Sequence, residues 1–243
     1  MKIILILFSL FYVIFQPAAG YFFFRRFLKR LAEDPGFKLL YYKNSLLCSW
    51  LPVGIIAAVL LFGGVPVSRI GVGWIVLDSG KFGKWATAGI LLAFALVFFL
   101  YAFQIVMARV NEPYRNKLAE TKVPEEIALL LPHTPEEKKY WTLVATTAGL
   151  VEEIVYRGFL LFLLSSLFPD LPVFWCILIS SALFGLAHTY QGLSGILKTG
   201  VVGLLFALVY ACTGSLLPGI LLHFIMDYAA KNVGTGNNVQ AAG

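Results

Sequence analysis

The sequence is poor in charge. Of its 243 residues, 13% are Asp, Glu, Lys or Arg, against about 25% in soluble domains. With 59% hydrophobic residues and a mean hydropathy of +0.82, this excludes an ordinary soluble domain and points to a membrane protein. Cysteine is scarce as well. Cys48, Cys176 and Cys212 lie in or beside apolar runs with no CxxC spacing, which excludes a disulfide framework or zinc knuckle and reads as small core residues. The short alternating segments of a transmembrane β-barrel are absent, and no internal repeat stands out. A net charge of +6 would suggest nucleic acid in a soluble chain. In this one the basic loops report topology, and no nucleic-acid partner is expected.

What the chain does have is apolar runs of spanning length. They cover about Ile3–Phe24, Leu46–Val67, Trp85–Ala108, Trp141–Leu164, Leu171–His188, Ile196–Cys212 and Leu216–Ala230. The expected fold is all-α: a polytopic transmembrane bundle of about seven helices, or six if the first run is a cleaved signal with Pro17–Gly20 as its weak processing site. Six Lys/Arg follow that run in 25–43, which favours a retained helix. Another six lie in 109–139, while 69–84 has three. The positive-inside bias therefore puts the first and third loops in the cytosol, the N-terminus outside and Lys231 inside. The organisation divides into N-terminal helices and loops without a specific motif (1–130), a motif-bearing unit (131–230) and a polar tail (231–243). Leu131-Pro132-His133-Thr134-Pro135-Glu136-Glu137 reads as a helix start, with Thr134 as N-cap, Pro135 at N1 and Glu137 at N3.

Against this background Glu152, Glu153 and Arg157 are conspicuous, because charges inside a membrane run are costly and by default mark function. Glu152 lies about 16 Å along the helix from Trp141, near mid-bilayer for a hydrocarbon core of about 30 Å. Glu153 and Arg157 are i,i+4 and suit an ion pair. Glu152 is rotated about 100° away, beside Gly149 and Tyr156, and is left free for chemistry. Further candidates are His188, which ends the fifth run, and His223 with Asp227, i,i+4 in the seventh. His133, in a polar loop, reads as solvated. A carboxylate and an imidazole can hold and deprotonate water while other polar groups stabilise an oxyanion. Glu152, His188, His223 and Asp227 could instead ligate a divalent ion such as Zn2+, although no HExxH helix is present.

Glu152-Glu153-x-x-x-Arg157, Phe184-x-x-x-His188 and His223-x-x-x-Asp227, in that order on three late helices, resemble the type II CAAX prenyl endopeptidase and bacteriocin-processing family of intramembrane proteases. The resemblance covers about Leu131–Ala230, with Leu131-Pro132 and Tyr210-x-x-Thr213-Gly214-Ser215-Leu216 included. It implies an intramembrane endopeptidase acting on a membrane-associated or lipidated, CAAX-type protein or peptide. Glu152 would be the general base and His188 a partner in activating water. His223 and Asp227 would bind the oxyanion or complete a metal site, and Glu153 and Arg157 would be supporting residues. The best-studied members of the family carry Asn at the position of Asp227. An ionised Asp cannot donate to an oxyanion, so the change favours orienting His223 or ligating a metal. The expected setting is a multi-pass protein among membrane lipid, in the plasma membrane for a bacterial chain, with a cavity opening to the cytosol.

Two rival readings use the same residues. The buried polar cluster suits a proton relay in a transporter or a scaffold in an immunity-type membrane protein. Gly192-Leu193-Ser194-Gly195 matches the GxSG motif of rhomboid-type serine proteases. That pattern is cheap in a chain with 22 Gly, leaves the Glu/Arg cluster unexplained, and suits helix capping by Ser194.

Overall fold

A computed structural model describes residues 16–234, and every regular element among them is helical. Helix α1 spans Gln16–Glu33 and α2 Phe37–Phe62, followed by a 3-10 turn at Val67–Ile70 and helix α3, Lys84–Val110. Two short helices follow, α4 (Glu112–Ala119) and α5 (Glu125–Leu130). The central helix then runs 33 residues without a break, as α6 (Pro135–Glu152), a π-helical stretch (Glu153–Leu160) and α7 (Leu161–Leu167). Helix α8 (Val173–Leu186) leads through a 3-10 turn, Thr189–Gln191, into α9 (Gly192–Thr213), and α10 spans Leu217–Ala230.

Length and apolar composition suffice for a membrane crossing in Phe37–Phe62, Lys84–Val110 and Thr189–Thr213. The chain is thus an integral membrane helical bundle. The expected fifth and seventh runs are shorter as helices, 14 residues each, below the ~20 that a straight crossing needs. Their apolar residues continue into turns, which hydropathy counts but helix geometry does not. The first expected run, Ile3–Phe24, lies mostly outside the described residues. The helix containing its end continues through Arg25 and Arg26 to Glu33, since arginine is a good helix former, and only Asp34–Gly36 separates it from α2. Most of the polar tail, residues 235–243, also falls outside the described residues.

Local signals explain several boundaries. Thr134 Oγ1 accepts from Glu137 N–H while the Glu137 carboxylate accepts from Thr134 N–H, the expected capping box, with Pro135 in the first turn. Glu137 also accepts from His133 N–H. Gly214, in the left-handed region at φ 60°, ends α9. Ser194 does not cap α9, whose N-cap is Gln191 without a side-chain cap bond.

The central helix is the axis of packing, with α2 on one side and α10 on another. Ile56, Leu60 and Ile70 meet Val151, Val155, Phe159 and Leu163 in the largest buried cluster. A second joins Leu161 to Cys176 and Ile177 of α8 and Ala207 and Ala211 of α9. Cys176 and Cys212 are buried as expected, whereas Cys48 is exposed on α2.

Both basic loops lie at one end of the bundle. Arg25 Nη1 reaches Glu126 Oε1 at 2.6 Å, and buried Lys38 donates to Leu131 O at 3.0 Å with Glu137 Oε2 at 3.5 Å. At the opposite end residues 63–83 fold back on the C-terminus of α9. Val76 N–H and Asp78 N–H donate to the carbonyls of Thr213 and Cys212, each at 2.8 Å, and Lys81 Nζ donates to Ala211 O at 2.9 Å. These bonds satisfy carbonyls that a helix end leaves without intrahelical partners.

Candidate active site

Glu152 and Glu153 sit where the central helix changes from α to π winding. The wider turn needs its backbone groups satisfied, and Ser180 of α8 donates its hydroxyl to Tyr156 O at 2.8 Å. Gly158 lets this turn press against the preceding loop, since a Cβ there would come within 2.7 Å of Ile70 O.

The two carboxylates face different surroundings. Glu153 and Arg157 are each 1% exposed and pair at 2.9 Å, as the i,i+4 spacing predicts. Isolated burial of either charge would be prohibitive. Here Arg157 also lies over Phe184 (4.1 Å from the ring centroid) and Phe206 (5.1 Å), which adds cation–π attraction. Glycines make the space. A Cβ at Gly219 would come within 2.8 Å of Glu153 Oε2, and one at Gly203 within 2.9 Å of Phe184 and 3.3 Å of Arg157.

The Glu152 side chain is 29% exposed and Asp227 is 39% exposed, so these two carboxylates border open space. Glu152 Oε2 is itself buried without a hydrogen-bond partner among the described residues. It lies 3.7 Å from His223 Nε2 and 4.0 Å from His188 Nε2. Asp227 Oδ2 lies 3.7 Å from His223 Nε2. Glu152, His188, His223 and Asp227, drawn from the central helix, the end of α8 and α10, therefore converge on one point.

Backbone and side-chain bonds orient both rings. His188 Nδ1 is 2.8 Å from Phe184 O, an acceptor only, so Nδ1 carries the hydrogen and donates it. In the neutral ring Nε2 then presents its lone pair toward Glu152. His223 Nδ1 is 2.9 Å from Glu153 Oε1 and donates to it, leaving Nε2 toward Glu152 and Asp227. The carboxylate that neutralises Arg157 thus also holds a site histidine. With its ring nitrogens facing Glu153, Glu152 and Asp227, His223 is engaged by carboxylates rather than by Ser194, an exposed residue in the first turn of α9.

Among the described residues, no group of three or more His, Cys, Asp and Glu side chains is set out to hold a metal ion. Tetrahedral zinc with bonds of about 2.0–2.1 Å would bring its ligand atoms to about 3.3–3.4 Å of one another, closer than the 3.7 and 4.0 Å seen here. The four side chains have zinc-type donors without a preformed zinc cage.

The structure adds neighbours that the motifs do not contain. Tyr156 Oη donates to Gln16 Oε1, and Thr189 Oγ1 donates to Pro17 O at 3.0 Å. Phe24 packs on Tyr190 at 5.1 Å, and Tyr190 on His188 at 5.8 Å. Helix α1 therefore forms one wall beside His188. Gln191 Nε2 donates to Tyr190 Oη at 3.0 Å, and Gly195 leaves room for Gln191, whose Cβ would lie 2.2 Å from a Cβ at that glycine. That contact, rather than a nucleophile elbow, accounts for the second glycine of Gly192-Leu193-Ser194-Gly195. The other departure from expectation is His133, which is half-buried with Nε2 3.0 Å from Ala128 O, a bond no periodicity could reveal.

No curated protein and no solved structure matched the chain. A family model, type II CAAX prenyl endopeptidase Rce1-like, matched residues 136–229, which contain Glu152, Glu153, Arg157, His188, His223 and Asp227. Over the helices that carry the converging carboxylates and imidazoles, the chain is therefore similar to the type II CAAX prenyl endopeptidase Rce1-like family.

Proposed function

We propose that the protein is an intramembrane endopeptidase in which Glu152 and His188 activate water against a peptide bond of a membrane-associated or lipidated protein or peptide. The observation that carries this reading is Glu152 Oε2, buried without a hydrogen-bond partner among the described residues, with imidazole Nε2 atoms at 3.7 and 4.0 Å. Polar atoms at such separations are commonly bridged by water. A water there would donate one hydrogen to Glu152 and the other to His188 Nε2.

Glu152 takes the proton as the water oxygen bonds to the scissile carbonyl carbon, giving a tetrahedral oxyanion. Protonated His223 offers Nε2–H to that oxyanion, held in place by Glu153. Asp227 remains an acceptor and orients His223. Collapse breaks the C–N bond, and the proton held by Glu152 passes to the departing amine. The family match supports a peptidase of the CAAX type. The reading places the basic-loop end in the cytosol by the positive-inside bias, with His188 toward that end, so a polar peptide tail enters from there while a lipid group stays in the bilayer.

The decisive experiment uses detergent-purified protein with a panel of peptides and prenylated peptides, alongside Glu152→Gln and His188→Ala. Cleavage by the parent and its loss in both variants is expected. Cleavage unaffected by both substitutions sinks the site. A second reading rests on the same cluster: Glu152, His223 and Asp227 form a chain of proton-binding groups. If no peptide is cut but a proton gradient drives a Glu152-dependent flux in liposomes, the relay reading replaces the peptidase.

A further inference from the structure

The loop between α2 and α3 carries an unusual surface. Trp74, Ile75, Val76 and Leu77 are 88%, 51%, 70% and 65% exposed, and Trp85 in the first turn of α3 is 92% exposed. Single exposed apolar residues are ordinary, but a contiguous group marks an interaction site. Four successive apolar side chains point outward here from an extended, non-helical backbone.

That backbone is anchored rather than loose. Val76 and Asp78 donate to the α9 carbonyls described above, Ser215 Oγ donates to Gly73 O at 2.7 Å, and Leu216 N–H donates to Gly71 O at 3.0 Å. The polar edge of the segment is fixed on the turn between α9 and α10, and the apolar side chains face away as a rigid platform.

Two observations identify what covers it. Helix α3, 27 residues long, extends about 40 Å, more than the ~30 Å hydrocarbon core. Its N-terminal turn therefore reaches the headgroup layer, and the platform connects to that turn within a few residues. The composition matches that layer as well. Tryptophan favours the membrane–water boundary, where an apolar ring and a polar N–H are both accommodated. Exposed Arg69 and Lys84 flank the segment with charge suited to lipid phosphates. Non-helical backbone is tolerated at the interface but not among acyl chains.

We infer that Trp74–Leu77, together with Trp85, is an interfacial anchor seated in the lipid headgroup layer on the side of the bundle opposite the two basic loops. It fixes the turn that leads into the helix bearing His223 and Asp227 at a set depth in the bilayer.

The test is a nitroxide on Ile75→Cys in a Cys48→Ser background, since Cys176 and Cys212 are buried. The protein is placed in phosphatidylcholine/phosphatidylglycerol nanodiscs holding one copy each. Collision with oxygen is compared with collision with a water-soluble nickel chelate. Exposed Asn116 of α4, as Asn116→Cys, supplies the aqueous reference. The expected result is an oxygen-to-nickel ratio several-fold higher at position 75 than at 116. Equal ratios overturn the anchor. A high ratio only in discs loaded with two copies also overturns it, in favour of an interface between copies of the chain.

Discussion

Glu153 Oε1 lies 2.9 Å from both Arg157 Nη1 and His223 Nδ1. One buried carboxylate oxygen therefore joins a structural ion pair to a histidine of the candidate site, and perturbing the pair reaches the chemistry through a single atom. Arg157→Leu leaves Glu153 charged in a nearly solvent-free position. Loss of about 3–5 kcal/mol is expected, as for other broken buried pairs, read as reduced thermal stability in detergent together with lost cleavage. The double variant Glu153→Met/Arg157→Met should be more stable than Arg157→Leu, because neither member of the ion pair is left charged without the other, although His223 Nδ1 loses its acceptor. A well-folded, fully active Arg157→Leu protein would contradict the assignment.

Glu153→Gln tests the link to His223 separately. The amide occupies the same space but carries no charge, so it no longer supports the protonated ring that offers Nε2–H to the oxyanion. A fall in kcat of about 10²–10⁴ is expected, with KM little changed. His223→Gln should fall by a similar factor, and the two together by scarcely more. Additive losses would show that Glu153 does not act through His223.

The glycines beside the pair have a steric role that can be measured. Gly219→Ala places a methyl 2.8 Å from Glu153 Oε2, and Gly203→Ala one 2.9 Å from Phe184. Each should lower stability by about 1–3 kcal/mol, seen as an earlier unfolding transition. Gly54→Ala, where nothing lies within 4 Å of the added Cβ, is the control. Equal transitions for all three would remove the close-packing account.

Metal dependence is open to direct assay. Water activation by Glu152 and His188 requires no bound ion, so cleavage should survive chelator treatment and elemental analysis should find no stoichiometric zinc. Activity lost on chelation and restored by added zinc would replace the water-activation route with a metal-bound one.

His133 supplies a pH dependence outside the bilayer. Burial, and then the Lys38 ammonium, hold its pKa below the usual 6.5. Between that lowered folded value and 6.5 the unfolded chain binds more protons, so stability rises with pH through this window and falls as the medium is acidified below 6.5. His133→Gln should flatten that part of the stability–pH curve. An unchanged slope would assign the acid sensitivity to another group.

Much of the site was legible because charge in an apolar run is conspicuous. Glu152, Glu153 and Arg157 stand out by composition alone, and the i,i+4 spacing predicts the ion pair found. Thr134 and Glu137 likewise spell out a helix start that local hydrogen bonding fulfils. The bond from His223 to Glu153 joins residues 70 apart in sequence and depends on how α10 leans on the central helix. Gly203 and Gly219 carry no signal among the other glycines, because their role comes from a neighbour on another helix. Hydropathy overstates the lengths of α8 and α10 because apolar turn residues raise it without extending a helix.

The π-wound stretch at Glu153–Leu160 has a consequence of phase. With more residues per turn than an α-helix, it resets the angular position of everything on its C-terminal side relative to α6. Removing one residue, for instance Val155, would restore uniform pitch while leaving every charged side chain in the chain. Arg157, which lies inside the π stretch, would then shift round the helix axis relative to Glu152 and Glu153. The ion pair and the site it supports would be lost through local rotation alone, with every chemical group still present.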